Sequence, residues 1–395
     1  MKDNLKAGLL RNSIKSDRRL ISDTEELILI CAGLSHDENM LPRARELISG
    51  RIDWKLFKEN ALRSGLYLII YNSLKKIDRE SAVPKDILVL LKAAHLCAVS
   101  KTGIQYNETA HLLKLFFEKN IPIVPLKGPL LARRLYGDIA ARGVSTDIDL
   151  LIEEKNTDKA KEILGLAGYA ASSGEIWNII GQQPFGKEDR STIDLQWQIN
   201  PVVPNNERMK GFWDGTRLRQ EDGVSYHEFK EAELLLQLSV HFVDSSHLIQ
   251  LKHICDIHEL LTKFGGAMQW DGVIEKAFRW KLSGSLYAAL LFSEKLFGPS
   301  VPDKVMKKIK PGPAKRILIN ILAQRGVILN KNSKRRRFIE SFVKYILFQA
   351  LEAKSLEDYF AIFFPPKEKM GSKTYADRMA GGVSKLKRAI GFKRS

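Results

Sequence analysis

The chain has 395 residues, 44% of them hydrophobic and 28% charged, a composition able to bury a substantial core at a length that points to two or three domains. Its net charge of +17 is unevenly placed: residues 301–395 hold 23 Lys and Arg against 7 Asp and Glu, while the first 300 hold 40 against 39. Only the last quarter is therefore equipped for a polyanion or an anionic membrane surface.

Cys31, Cys97 and Cys255 stand far apart among aliphatic neighbours, which leaves neither a disulfide framework nor a paired zinc knuckle and reads as a reducing compartment. No charged-then-apolar leader opens the sequence, and no uninterrupted run of about 18 apolar residues occurs. The expectation is a cytoplasmic protein without a transmembrane segment.

Residues 22–120 show apolar positions at three- and four-residue spacing in TEELILICAGL, WKLFKENALRSGLYLIIYNSLKKI and DILVLLKAAHLCAVSKTGIQYNETAHLLKLFFEKN, punctuated by Pro84, and so predict helices. At 121 the period changes. IPIVPL reads as a short strand, GPLLARRLYGD as a short helix, DIDLLI as a strand, and NTDKAKEILGLAGY as a helix capped by Asn156 or Thr157 and closed by Gly168. After a less regular stretch, STIDLQWQI returns as a strand by alternation. From 229 the helical pattern resumes, with breaks at Pro311, Pro313, Pro365 and Pro366. The expected fold class is α+β: a small mixed-sheet core at 121–228 embedded between mainly helical regions at 1–120 and 229–365, followed by a basic tail at 366–395.

Within the core, STDIDLLIEE places two carboxylates in a stretch that otherwise reads as a buried strand. Side chains alternate across a strand, so Asp147 and Asp149 project to one side and Ile148 and Leu150 to the other. Two adjacent carboxylates stay ionised cheaply only around a cation, and hard oxygen ligands suit Mg²⁺ or Mn²⁺. Asp194, in TIDLQW, joins them if its strand is a neighbour. Three such groups meet the requirement of two-metal phosphoryl transfer.

Upstream, Gly128 lets the backbone approach a phosphate closely and the helix after it directs free N–H groups at an anion. Lys127 adds a formal charge, and Arg142, in the loop before Asp147, is within reach of the same phosphates. D-x-D alone is common in solvated strand ends. The preceding loop and the following Asp194 are what make it a site.

The run IPIVPLKGPLLARRLYGDIAARGVSTDIDLLI followed by TIDLQW resembles nucleotidyltransferase-like proteins of the DNA polymerase beta superfamily, in particular a bacterial branch with an LKG loop and a D-x-D strand. ELLLQLSVHFVD and LKHICDIHELL resemble the helical region that accompanies this branch. The resemblance implies a nucleotidyltransferase core. By position Asp147 and Asp149 match the metal pair, Asp194 the third carboxylate, and Lys127 with Gly128 the nucleotide loop. The implied cofactor is Mg²⁺ or Mn²⁺, with an NTP as substrate. Lys-Gly stands where the wider superfamily has Gly-Ser, and Gln196 where many relatives carry His.

His241, His247, His253, Cys255 and His258 fall within 18 residues, but their helical spacing offers no four-ligand geometry, so they read as helix packing. Asp256 stands four residues after Lys252, a spacing that suits a buried ion pair. The expected function is metal-dependent transfer of a nucleoside monophosphate from an NTP to a hydroxyl of an unidentified acceptor. Two alternatives are a non-catalytic nucleotide-binding or scaffold protein of a biosynthetic assembly, and an RNA-directed binder resting on the C-terminal charge. The basic tail adds a contact with an anionic surface or polyanion as a further expectation.

Overall fold

Alternation along two short strands divides the molecule. In the computed structural model, which describes residues 22–33, 38–78, 82–173, 181–199, 206–244 and 251–322, Ile148, Leu150, Ile152, Ile193 and Leu195 all enter one hydrophobic core, while Leu151 enters a second. The strands are β2 (Asp147–Ile152) and β5 (Thr192–Gln196) of a five-stranded mixed sheet. With β1 (Ile123–Pro125), β3 (Ala170–Ala171) and β4 (Gln182–Gly186) the strand order is β1-β2-β5-β4-β3. Only the β2–β5 pair is parallel; β1, β4 and β3 each join antiparallel.

Helices α1 (Asp23–Gly33), α2 (Leu41–Ile48), α3 (Trp54–Ser64), α4 (Tyr67–Ile77) and α5 (Lys85–Glu118) precede the sheet, as the apolar spacing predicts. α3 is stopped by Gly65 in the left-handed region and started by Asp53, whose carboxylate accepts from the Leu56 amide. The end of α5 packs Leu112, Leu113 and Phe116 with α7 (Thr157–Leu166) on one face of the sheet. Asn156 is the N-cap of α7 but makes no side-chain capping bond; the Thr157 hydroxyl instead donates to the Glu154 carbonyl at 2.5 Å.

By length and apolarity α5 is long enough to cross a membrane. The expectation of no transmembrane segment weighed only uninterrupted apolar runs, and α5 interrupts its own with Lys92, Lys101 and Glu108.

The other face of the sheet meets a helical body built from both ends of the chain. After α6 (Pro129–Tyr136) and α8 (Asn206–Asp214), a hairpin of β6 (Thr216–Glu221) and β7 (Val224–Phe229) leads into α9 (Glu231–Asp244), α10 (Leu251–Phe264), α11 (Trp270–Arg279), α12 (Ser283–Phe297), α13 (Asp303–Lys308) and α14 (Pro313–Leu322). Val124 and Leu151 from the sheet share a core with α1 to α4 and with α9 to α12. The helical stretch read at 333–364, the basic tail and residues 1–21 lie outside the described residues.

Candidate nucleotide-transfer site

The β2–β5 pairing sets Asp149 directly opposite Asp194 and Asp147 opposite Thr192. Because residues in register share a face, Asp147, Asp149, Asp194 and Gln196 stand together on the side of the helical body, and Ile148, Leu150, Ile193 and Leu195 anchor the same strands from behind. The buried neighbours are thus what fix the acids in place.

Lys127, just past β1, reaches across with its ammonium 2.8 Å from Asp149 Oδ1. The Gln196 amide donates to Asp149 Oδ1 at 3.1 Å and to Asp194 Oδ2 at 3.3 Å, so one side chain spans the two carboxylates. Asp149 Oδ2 and Asp194 Oδ1 are buried and have no hydrogen-bond partner among the described residues. Burial, reinforced by the Asp149 charge and opposed by Lys127, pushes the Asp194 carboxyl up to about 6. Asp149 is raised too, first by burial, against the pull of Lys127.

Local backbone geometry positions this set. The Leu126 amide donates to the Asp149 carbonyl at 3.0 Å, which ties the Lys127 loop to β2. Gly128, at φ +80° and ψ −150°, caps α6 with Pro129 in its first turn, a conformation that is essentially restricted to glycine. Buried Gln105 of α5 donates to the Asp147 carbonyl at 3.0 Å, and Ser145 Oγ donates to Asp147 Oδ1 at 2.6 Å.

The structure therefore brings together Lys127, Gly128, Asp149 and Asp194, with Asp147 on the same face but turned to Ser145. Among the described residues no three His, Cys, Asp or Glu side chains are already gathered as a metal site. The pair with orphaned oxygens is Asp149 and Asp194.

Arg142 is placed differently from its expected position at the phosphates. It is buried and engages Asp256 of α10 through Nε at 2.7 and 2.9 Å and through Nη2 at 2.6 Å. The Tyr136 hydroxyl donates to the same carboxylate at 3.0 Å. Asp256 is thus partnered by Arg142 and Tyr136, where its spacing had suggested Lys252. Close approach of two glycines permits this: a Cβ on Gly143, which has φ +70°, would lie 2.5 Å from the Gly65 carbonyl oxygen.

The histidines are packed, as their spacing suggests. The His241 and His253 rings lie 4.6 Å apart, and His258 stacks on Phe297. Burial holds His241 and His253 well below the usual histidine range, helped at His241 by Lys127 and at His253 by Arg142. His247 lies outside the described residues. All three cysteines are free.

Gln196 and Ser145 hydrogen-bond the candidate acids, and sequence reasoning did not assign them. Gln196 had a signal, since it follows Asp194 by two and must share its face. Ser145 and Gln105 carried none, because their contacts depend on how the loop and α5 meet β2.

No curated protein and no solved structure matches the chain. A family described as an uncharacterised nucleotidyltransferase matches residues 50–298, a span that takes in the sheet, the helices before it from α3 and those after it to α12. That match covers more than half of the sequence, and the chain belongs to this nucleotidyltransferase family.

Proposed function

We propose that the protein is a metal-dependent nucleotidyltransferase of the DNA polymerase beta type, which moves a nucleoside monophosphate from an NTP to a hydroxyl of a separate acceptor. Family membership supports nucleotidyl transfer. The observation that carries the finer reading is the in-register pair Asp149 and Asp194, each with a buried unpartnered oxygen, beside a lysine and a glycine turn. Hard oxygen donors left without hydrogen bonds in a buried place suit Mg²⁺ or Mn²⁺.

Asp149 and Asp194, with Asp147 on the same face, would hold the metal. A divalent ion there supplies charge stabilisation at the phosphoryl oxygens. Asp194 would also serve as the base for the acceptor hydroxyl, beside its part in holding the metal. Lys127 would exchange Asp149 for a phosphate, and Gly128 would give the backbone room for that anion.

Incubation with each labelled NTP, Mg²⁺ and a cell extract as the source of acceptor tests the reading by pyrophosphate release. Asp149→Asn is expected to lower the rate at least about a hundredfold with an unchanged circular dichroism spectrum. Wild-type turnover in that variant would remove the proposal.

A further inference from the structure

We propose that Gln196 is a positioning residue of this site, whose amide orients two carboxylates so that one oxygen of each is left for the divalent ion; this deepens the reading above and rests on it. Gln196 Nε2 donates to Asp149 Oδ1 at 3.1 Å and to Asp194 Oδ2 at 3.3 Å. The oxygens opposite, Asp149 Oδ2 and Asp194 Oδ1, are the buried ones without a hydrogen-bond partner among the described residues. On each acid, then, the orphaned oxygen is the one that the amide does not hold.

The donor count fits this role. A primary amide nitrogen carries two N–H groups and no charge, which gives one donor to each carboxylate. The amide oxygen is unsuited to that place, since it would meet two anionic acceptors with no proton between them. The end torsion of an aspartate is broad, so a carboxylate held at neither oxygen is free to turn. Asp149 is steadied a second time by Lys127, 2.8 Å from the same Oδ1. For Asp194 the Gln196 amide is the one side-chain hydrogen bond among the described residues. A neutral donor also leaves the negative charge of the acids to the ion, whereas a second lysine between them would offset it.

The backbone fixes the reach of the amide. Gln196 ends β5 between two partner strands, in register with buried Leu151 of β2 and with Gln182 of β4. It follows Asp194 by two residues and Leu151 follows Asp149 by two, so all four share a face. The amide thus reaches back along its own strand to one acid and diagonally across to the other. Just beyond, the Trp197 amide donates to the Gly181 carbonyl at 2.9 Å and the Trp197 side chain is buried, which anchors the strand end.

The test is titration of the full chain with Mn²⁺ alone, followed by electron paramagnetic resonance, which reads both the affinity and the symmetry of the bound ion's surroundings. Gln196→Met keeps the length of the side chain and loses both N–H groups. It is expected to weaken Mn²⁺ binding roughly tenfold or more and to broaden the spectrum of the bound ion. Gln196→Asn keeps both donors one methylene short and is expected to fall between Gln196→Met and the wild type. A structural role alone would lower the melting temperature in chelator and leave the Mn²⁺ affinity and spectrum of the folded chain unchanged.

Wild-type affinity and spectrum in Gln196→Met, or in Gln196→Asn if the Met variant does not fold, overturn the role of Gln196 and leave the nucleotidyltransferase reading standing. A wild-type chain that binds no Mn²⁺ overturns both.

Discussion

Asp194 is ionised at a cost that varies with pH. Its folded pKa is raised from 3.8 to about 6, so the fold prefers the protonated carboxyl. The penalty is absent below about pH 4, grows between 4 and 6, and is complete above 6, where it reaches at most about 3 kcal/mol. Asp194→Asn keeps an oxygen for the Gln196 amide and loses the charge. In chelator its urea unfolding free energy is expected to exceed that of the wild type at pH 8 and to converge with it near pH 4. A gap that does not change with pH would contradict the burial of this group. Such a cost at one face of the sheet fits the cation proposed for it.

At the scale of elements, two contacts hold the site loops to their supports. The buried Arg142–Asp256 pair joins the loop before β2 to α10. Removing one partner leaves an uncompensated buried charge, so Arg142→Ala is expected to cost about 3–5 kcal/mol in denaturant unfolding. Adding Asp256→Ala to it should cost less than the sum of the two single changes, and strict additivity would show that the pair is not coupled. Gly128 sets the entry to α6. An alanine there meets no atom within 4 Å, so the expected loss of about 1–3 kcal/mol comes from backbone strain alone. A neutral melting temperature for Gly128→Ala would contradict the observed turn.

These elements also show what could be read from residues in order. β2, β5 and α6 were legible because alternation, Gly128 and Pro129 act within a few residues of chain. β3 and β4 fell in a stretch read as irregular, since β4 is held by β5 and β3 by β4, and not by their own alternation.

For the molecule as a whole, the two hydrophobic cores on opposite faces of the sheet explain where chemistry is accommodated. One face is filled by α5 and α7. The other is filled at Val124 and Leu151 by the helical body and carries acids beyond it. Lys127 and Gln196 meet the buried acids on that face.

The charge excess lies elsewhere along the chain. Residues 366–395 carry 9 Lys and Arg against 2 Asp and Glu, and we propose that they attach the protein to an anionic surface. Removing them is expected to lower partition onto phosphatidylserine vesicles by at least about tenfold and to abolish its salt sensitivity. Sedimentation of both forms with such vesicles measures this, and equal binding would refute it.

The sequence by itself determined the α+β class, the identity of the acids and the face they share on β2, because alternation and glycine conformations are local. It also determined that the cysteines form no framework. Only the tertiary structure decided that β2 and β5 are parallel neighbours with Asp149 opposite Asp194, and that Lys127 reaches that pair while Arg142 turns to Asp256. Each of these depends on which distant segments pack together, and local periodicity carries no information about pairing between residues far apart in the chain.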